Sequence, residues 1–275
     1  MLIAVAMFAL MDSVLKVLST RYPSMQVASL RAITSFPLVC AYVGWRGGFR
    51  SVFQVRMPLH LLRGALGIVM LTLFVYGLQT LSLAQAYAIF FIAPALITAL
   101  SMLILKERVN LRRWLAIVVC LAGVLVALRP SGEGMLTVGG LAILGSATAY
   151  AVSAISGRIV GRTDRSEHTV LWMIVYMGIG ATVMAIPGWV FPRSSDFLLL
   201  FSLAVTGFLG QVAITEAFNS GEASVVAPFE YTALAYGMLL DWVLWHTLPD
   251  RYTVLGAAII IGSGIYLIRH ERDQT

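Results

Sequence analysis

Four ionisable side chains, Asp12, Lys16, Arg31 and Glu230, fall deep inside stretches that are otherwise apolar. A charge taken out of water is costly, so such groups face a cavity or a partner and are candidates for binding a charged ligand or relaying protons. Asp12 and Lys16 are four residues apart, which puts them on one helical face with the acid first, the favourable order for an ion pair. Arg31 follows the break at residues 19–24 by about the distance at which Asp12 precedes it, so all three are expected at similar depth. Two readings of this cluster stand: a binding or gating group, or an ion pair tying two helices together, with Lys16 reaching toward the interface.

Glu230 lies two residues past Pro228, near the middle of its apolar stretch. A carboxylate there suits proton coupling or recognition of an amino group; the alternative is a glutamate bonded to a neighbouring helix. Tyr231 follows it and points roughly 100° further round a helix, so the two do not aim at one spot. Gln211, Thr215, Glu216 and Asn219 form a polar stripe, in which Gln211 is the deeper candidate, whereas Glu216 and Glu222 are placed in a solvated mouth. Tyr76 and Gln79 are neighbours on one face, as are Trp172 and Tyr176. Such groups stack on aromatic or cationic ligands, or else belong to the interfacial aromatic belt. Tyr150 sits beside a stripe of small residues, Gly145, Ala149, Ser153 and Gly157, whose spacing indicates helix packing and leaves Tyr150 to face a cavity.

These residues must be positioned by membrane helices. The chain is 59% apolar and 12% charged, with mean hydropathy +0.88, whereas soluble domains are about half apolar and about a quarter charged. Apolar runs bounded by charge, Pro or Gly fall near residues 2–18, 25–45, 60–80, 84–105 and 112–128, then 136–158, 168–189, 197–217, 222–245 and 252–269. Each approaches the roughly 20 residues that cross a bilayer. The fold expected is an all-α integral membrane protein of ten transmembrane helices, or nine if the third and fourth runs fuse. Asp12 and Lys16 argue against reading the first run as a signal peptide. Cys40 and Cys120 lie within spans, offering neither a disulfide framework nor a zinc spacing.

The net charge of +6 does not point to nucleic acid, because the positive residues cluster in alternate loops. Arg46, Arg50, Arg56 and Arg63 form one group, Lys106, Arg108, Arg112 and Arg113 a second, and Arg158, Arg162 and Arg165 a third. With Arg269 and Arg272 these fall on one face of a ten-span arrangement, predicting both termini in the cytoplasm. Arg129-Pro130 and the polar run 131–134 divide the chain into residues 1–130 and 131–275, with five spans each. Five is odd, so the two five-helix repeats are expected to be inverted. The fourth span of each half carries a mid-span proline, Pro94 and Pro228, and interrupted helices at matching positions are how many transporters build a midplane site.

These residues resemble the drug/metabolite transporters with paired EamA domains. The match runs through residues 11–16, Arg31, Arg63-Gly64, residues 86–94, Lys106-Glu107-Arg108, Arg112-Arg113-Trp114, Gly123-Val124 and Arg129-Pro130. In the second half it takes in residues 223–228, Tyr231, Asp241-Trp242 and Leu248-Pro249-Asp250. Trp245-His246-Thr247 departs from the pattern where an acidic residue often precedes the last span, which sets Glu107 apart from any symmetric pair. The resemblance implies ten helices, cytoplasmic termini in a bacterial inner membrane, and a central cavity for a small-molecule substrate in contact with the lipid bilayer.

The function expected is a secondary transporter working by alternating access, an exporter of amino acids, aromatic ones included, with protons as a candidate coupling ion. The alternative is uptake or exchange of a nucleotide-like cofactor or vitamin of the S-adenosylmethionine or riboflavin type. A channel or a non-transporting structural protein is the rival from another class. No catalytic residue, metal site or cofactor is expected: His60, His168, His246 and His270 are scattered, and neither a GxSxG elbow nor a phosphate-cradling GxxxxGK[ST] loop occurs.

Overall fold

The computed structural model describes residues 1–47, 49–77, 80–81, 83–129, 137–246 and 250–272. Gln79, the dividing run at 130–136 and Leu248-Pro249 lie outside them. The chain is helical along its length: α1 (Leu2–Leu18), α2 (Ser24–Trp45), α3 (Met57–Gly77), α4 (Leu83–Phe90), α5 (Ala93–Leu100), α6 (Leu111–Leu128), α7 (Val138–Val160) and α8 (Ser166–Ala185). It continues with α9 (Phe197–Ser220), α10 (Ala223–Val226), α11 (Ala233–Trp245) and α12 (Arg251–Arg272). Among the described residues, eight helical stretches are long and apolar enough to cross a membrane. Arg251–Tyr266 is a shorter apolar helix, and α1 has 17 residues. Large apolar side chains such as Leu103, Leu111, Phe197 and Leu198 stand more than 70% exposed, a surface that suits lipid rather than water.

The spans that carry Pro94 and Pro228 are both broken, whereas α2 runs unbroken through Pro37. The helix stops after Phe90 and resumes at Ala93, with Pro94 in the first turn of α5, where its missing N–H costs least. The second break is a 3-10 segment, Ala227–Thr232, between α10 and α11. Each broken span ends on a basic residue in the left-handed conformation: Lys106 at φ 57° after the π-turn Ser101–Leu105, and His246 at φ 52° after α11. Glycine usually takes this position; at Lys106 a cation stands where the helix dipole is negative.

The chain forms two compact units that draw on both halves of the sequence. One comprises Met1, residues 3–68 and residues 156–220; the other comprises Leu2, residues 69–155 and residues 221–275. In the first, α2 packs on α8 and α9. Small residues set this spacing: a methyl added to Gly178 would meet Ala32 Cβ at 2.9 Å, and one on Gly64 would meet Tyr176 Cγ at 2.9 Å. Ser29 and Thr182 share a hydrogen bond of 2.6 Å between α2 and α8, and Ser35 donates to the Ala204 carbonyl of α9 at 3.1 Å. Hydroxyls that find backbone partners are the form in which polar groups belong in an apolar bundle.

In the second unit α6 packs along α12. The contact is made at backbone distance by Gly123 and Gly256: a methyl on Gly123 would lie 3.0 Å from the Gly256 carbonyl, and one on Gly256 would lie 2.9 Å from the Ala127 amide nitrogen. The glycines of Gly262-Ser263-Gly264, further along α12, do less, since a methyl on Gly262 would meet nothing within 4 Å. Ser263 instead bonds the Ala116 carbonyl at 3.2 Å. Overpacking a tight contact costs about 1–3 kcal/mol. Gly256→Val is therefore expected to lower the thermal midpoint of the detergent-solubilised protein by several degrees while Gly262→Val leaves it in place; equal midpoints would show that the glycine contact does not hold α6 to α12.

Candidate functional site

In the second unit, Glu230 sits in the 3-10 break and accepts a hydrogen bond of 2.8 Å from the Tyr150 hydroxyl of α7. An arc of aromatic rings runs from Tyr150 to Tyr231. Tyr150 packs on Phe90 at 5.8 Å between centroids, Phe90 on Phe74 at 5.5 Å, and Phe74 on Tyr87 at 5.8 Å. Tyr87 lies 6.3 Å from Phe91, and Phe91 lies 5.9 Å from Tyr231. Because Phe90 and Phe91 flank the break after α4 while Glu230 and Tyr231 stand in the other, the two interruptions supply the arc between them. Pro94 and Pro228 have no N–H to give to the carbonyls of Phe90 and Ser224, the i−4 partners a continuous helix would satisfy.

The angular separation of Glu230 and Tyr231 appears in their surroundings. Tyr231 is fully buried against Cys120, Val124 and Ile260, and its hydroxyl has no hydrogen-bond partner among the described residues. Glu230 is half-buried and turns to Tyr150. The groups around Glu230 are of the kind that can receive a cation. A carboxylate supplies charge, and ring faces attract cations and stack on flat aromatic groups.

The first unit holds the other candidates. Asp12 and Arg31 attract one another electrostatically. The Arg31 guanidinium lies 5.5 Å from the centre of the Phe8 ring and lines a small cleft with Gln211 and Met177. Gln211 is buried, whereas Asp12 and Lys16 are exposed. Trp172 and Tyr176 stack on each other at 5.5 Å, but both polar ends are already used: the indole donates to the Val52 carbonyl at 2.9 Å, and the Tyr176 hydroxyl meets Met57 Sδ at 3.3 Å. They fasten the segment before α3 onto α8. Tyr76 is 47% exposed.

Other charged residues tie helix ends. Asp196, fully buried, accepts from the Tyr22 hydroxyl at 2.6 Å and from Arg21. Arg158 donates to the carbonyls of Phe218 and Asn219 at the end of α9. Asp250 caps α12 through the Thr253 amide at 2.8 Å and pairs with Arg129. Glu107 accepts the amides of Ala223 and Ser224 at 3.0 Å each, capping the start of the broken α10–α11 span, while Arg113 donates to Glu222 at 2.6 Å and to the Ser224 hydroxyl at 2.9 Å. Burial works to raise the Glu107 carboxyl, but these amide and hydroxyl bonds outweigh it and hold it below its ordinary value. Glu222 and Glu216 keep exposed side chains, in pairs with Arg113 and Arg46.

Sequence reasoning did not single out Phe74, Tyr87, Phe90 and Phe91. The signal available was the spacing of 87, 90 and 91, three and four apart on one helical face, just before Pro94.

The profile of the EamA-like transporter family matches residues 1–129 and again 137–269. The chain is similar to the S-adenosylmethionine uptake transporter of Rickettsia bellii, with 26% identity covering 95% of this chain and 89% of that one. It is similar to the pseudopaline exporter CntI of Pseudomonas aeruginosa, 27% identical over 96% and 93%, and to the riboflavin transporter of Vibrio cholerae, 26% identical over 100% and 93%. A protein known from its crystal structure shares the fold, with a TM-score of 0.84 and 19% identity over 96% of this chain and 94% of its own.

The Glu107 cap has a testable signature. Its carboxyl is held below the usual value when folded, so the stability it contributes is present above the ordinary carboxylate range and is lost as pH falls through the folded-state value. Losing a cap costs about 1 kcal/mol. Glu107→Gln is expected to lower the thermal midpoint at neutral pH, with the gap to the parent protein closing as the solution is acidified below the carboxylate range; a gap that does not change with pH would remove the charge from the cap.

Proposed function

The chain belongs to the EamA-like transporter family, and from that premise we propose that it is a secondary carrier for a small metabolite with a positively charged centre beside a flat aromatic ring, of the S-adenosylmethionine type. The observation that carries this reading is the Glu230 carboxylate, bonded to Tyr150 and set in an arc of rings. A sulfonium group would take the carboxylate as counter-ion, and an adenine-like ring would stack on the aromatic faces. The Rickettsia relative, named for uptake of S-adenosylmethionine, supports the same class. Amino-acid export lacks such support, because none of the three relatives named above is named for an ordinary amino acid. Riboflavin, the cargo in the name of the Vibrio relative, would use the rings but bring no cation to Glu230.

Counting α1 and α12 as spans gives ten, arranged as two inverted repeats over residues 1–130 and 131–275 with both termini in the cytoplasm of a bacterial inner membrane. The charge asymmetry of the loops supports this orientation. Alternating access would use the two breaks, at residues 91–92 and 227–232, as the places where backbone can move beside bound cargo. Proton coupling would fall to Glu230, releasing a proton as the cation enters and rebinding one as it leaves. Asp12, Arg31 and Gln211 would line the pathway, with Lys16 near its end.

Counterflow in proteoliposomes tests the proposal. S-adenosylmethionine is expected to exchange saturably, and S-adenosylhomocysteine, which keeps the ring and loses the sulfonium charge, to exchange at least about tenfold less efficiently, the ratio that about 1.4 kcal/mol confers. Glu230→Gln should remove that discrimination and flatten the pH dependence of exchange. Equal handling of the two compounds, or preferential movement of riboflavin or aromatic amino acids, would replace the cationic reading.

A further inference from the structure

Arg63 is 93% removed from solvent by its 7% exposure, yet its Nε and Nη1 atoms have no hydrogen-bond partner among the described residues. A buried guanidinium with idle donors is costly, because the charge is desolvated and nothing offsets it. One turn earlier on α3, His60 is 1% exposed, and its Nδ1 is also unpartnered. The two residues share a helical face and their charges act on one another.

The acidic groups of the same unit have other partners: Asp12 interacts with Arg31, and the rest are held by bonds and ion pairs. Asp164 accepts from the Arg56 amide at 2.9 Å, from His60 Nε2 at 2.9 Å and from the Thr163 hydroxyl at 2.9 Å. Glu167 pairs with Arg165, Glu216 with Arg46 and Asp196 with Arg21. The site is also shaped around the guanidinium. A methyl on Gly157 would stand 3.2 Å from Arg63 Nη2 and 3.3 Å from Cζ and Nε, so the plane of the cation rests on bare backbone. Gly157, read from the sequence as one member of a packing stripe, gives Arg63 its place.

We infer that Arg63 receives a small monovalent anion, either chloride or the carboxylate of the transported molecule. Both supply the negative charge and acceptor capacity that the unit leaves unprovided. Asp164 holds the imidazole through Nε2–H, which leaves Nδ1 of the neutral ring an acceptor, so the donors for the anion are the idle Nε and Nη1 of Arg63.

Thermal stability of the purified protein distinguishes the outcomes without any assumption about cargo. At fixed ionic strength, replacing gluconate by chloride or by acetate is expected to raise the thermal midpoint saturably in the parent protein, and the rise should disappear in Arg63→Gln. If only chloride stabilises, the site holds an inorganic ion. If acetate stabilises and chloride competes with it, the site takes a carboxylate, and Arg63→Gln should then raise the KM of a carboxylate-bearing substrate by at least about tenfold while sparing its methyl ester, since charge-assisted pairs are the strong ones. Should Arg63→Gln fail to fold, Arg63→Lys keeps the charge and loses the planar donor geometry, and its half-saturating anion concentration should rise about tenfold. A parent protein whose midpoint is the same in gluconate, chloride and acetate, or a Gln variant that keeps the response, overturns the inference. Neither result bears on the cation reading of Glu230, which is tested by counterflow alone.

Discussion

Backbone crossing a bilayer must satisfy its own hydrogen bonds, because lipid offers none. The helices of this protein meet that demand along most of their length, and its two interruptions are therefore informative. Each break leaves carbonyls that a continuous helix would have satisfied, and each places polar or aromatic side chains at the freed positions. Phe90 and Phe91 flank one break; Glu230 and Tyr231 stand in the other. The ring contact between Phe91 and Tyr231 joins them within one unit. Irregular backbone at this depth is tolerated where it is buried in protein or lines a cavity, and the hydrogen bond from Tyr150 to Glu230 lies at that place.

The ends of the helices meet the same demand with charge. Their free N–H and C=O groups need partners, and sequence-distant residues provide them. Glu107 reaches the first amides of α10, Arg158 the last carbonyls of α9, and Asp250 the first turn of α12. This use of charge explains why charged residues of the family motifs, such as Glu107 and Arg113, hold helix ends in space. Glu107, set apart from symmetric chemistry by the lack of an acidic counterpart near His246, serves as a cap.

Much of the architecture was legible because it rests on composition and punctuation. Apolar length marks the spans, Pro94 and Pro228 mark the breaks, and Glu230 stood out as a charge where charge is costly. The spacing argument that Glu230 and Tyr231 face different ways agrees with their separate surroundings. Other parts could not be read, because they depend on contacts between residues far apart in the chain. Nothing local in Gly256 shows that it meets Gly123 rather than leaving that role to Gly262. Trp172 and Tyr176 have the spacing of a ligand platform, yet their polar ends are taken by Val52 and Met57, partners more than a hundred residues away. The units, too, combine residues 3–68 with 156–220 and 69–155 with 221–275, a division that the boundary near residue 130 does not reveal.

Hydrogen-bond saturation separates structural charges from available ones. A carboxylate has about four acceptor sites. Asp164 takes three bonds from Arg56, His60 and Thr163, and Asp250 is held by the Thr253 amide and hydroxyl with Arg129 beside it. Such groups have little left to offer a ligand. Glu230 receives the Tyr150 hydroxyl in a setting of rings whose faces favour positive charge, so a cation would add bonds there without breaking any. The cations divide in the same way. Arg113 spends its donors on Glu222, Ser224 and the Arg108 carbonyl, and Arg158 gives Nη1 to the end of α9 with its Nε unpartnered, whereas Arg63 has both Nε and Nη1 idle among the described residues. In a medium that supplies no solvent partner, a buried charge with unused capacity is most economically explained by something that arrives to use it.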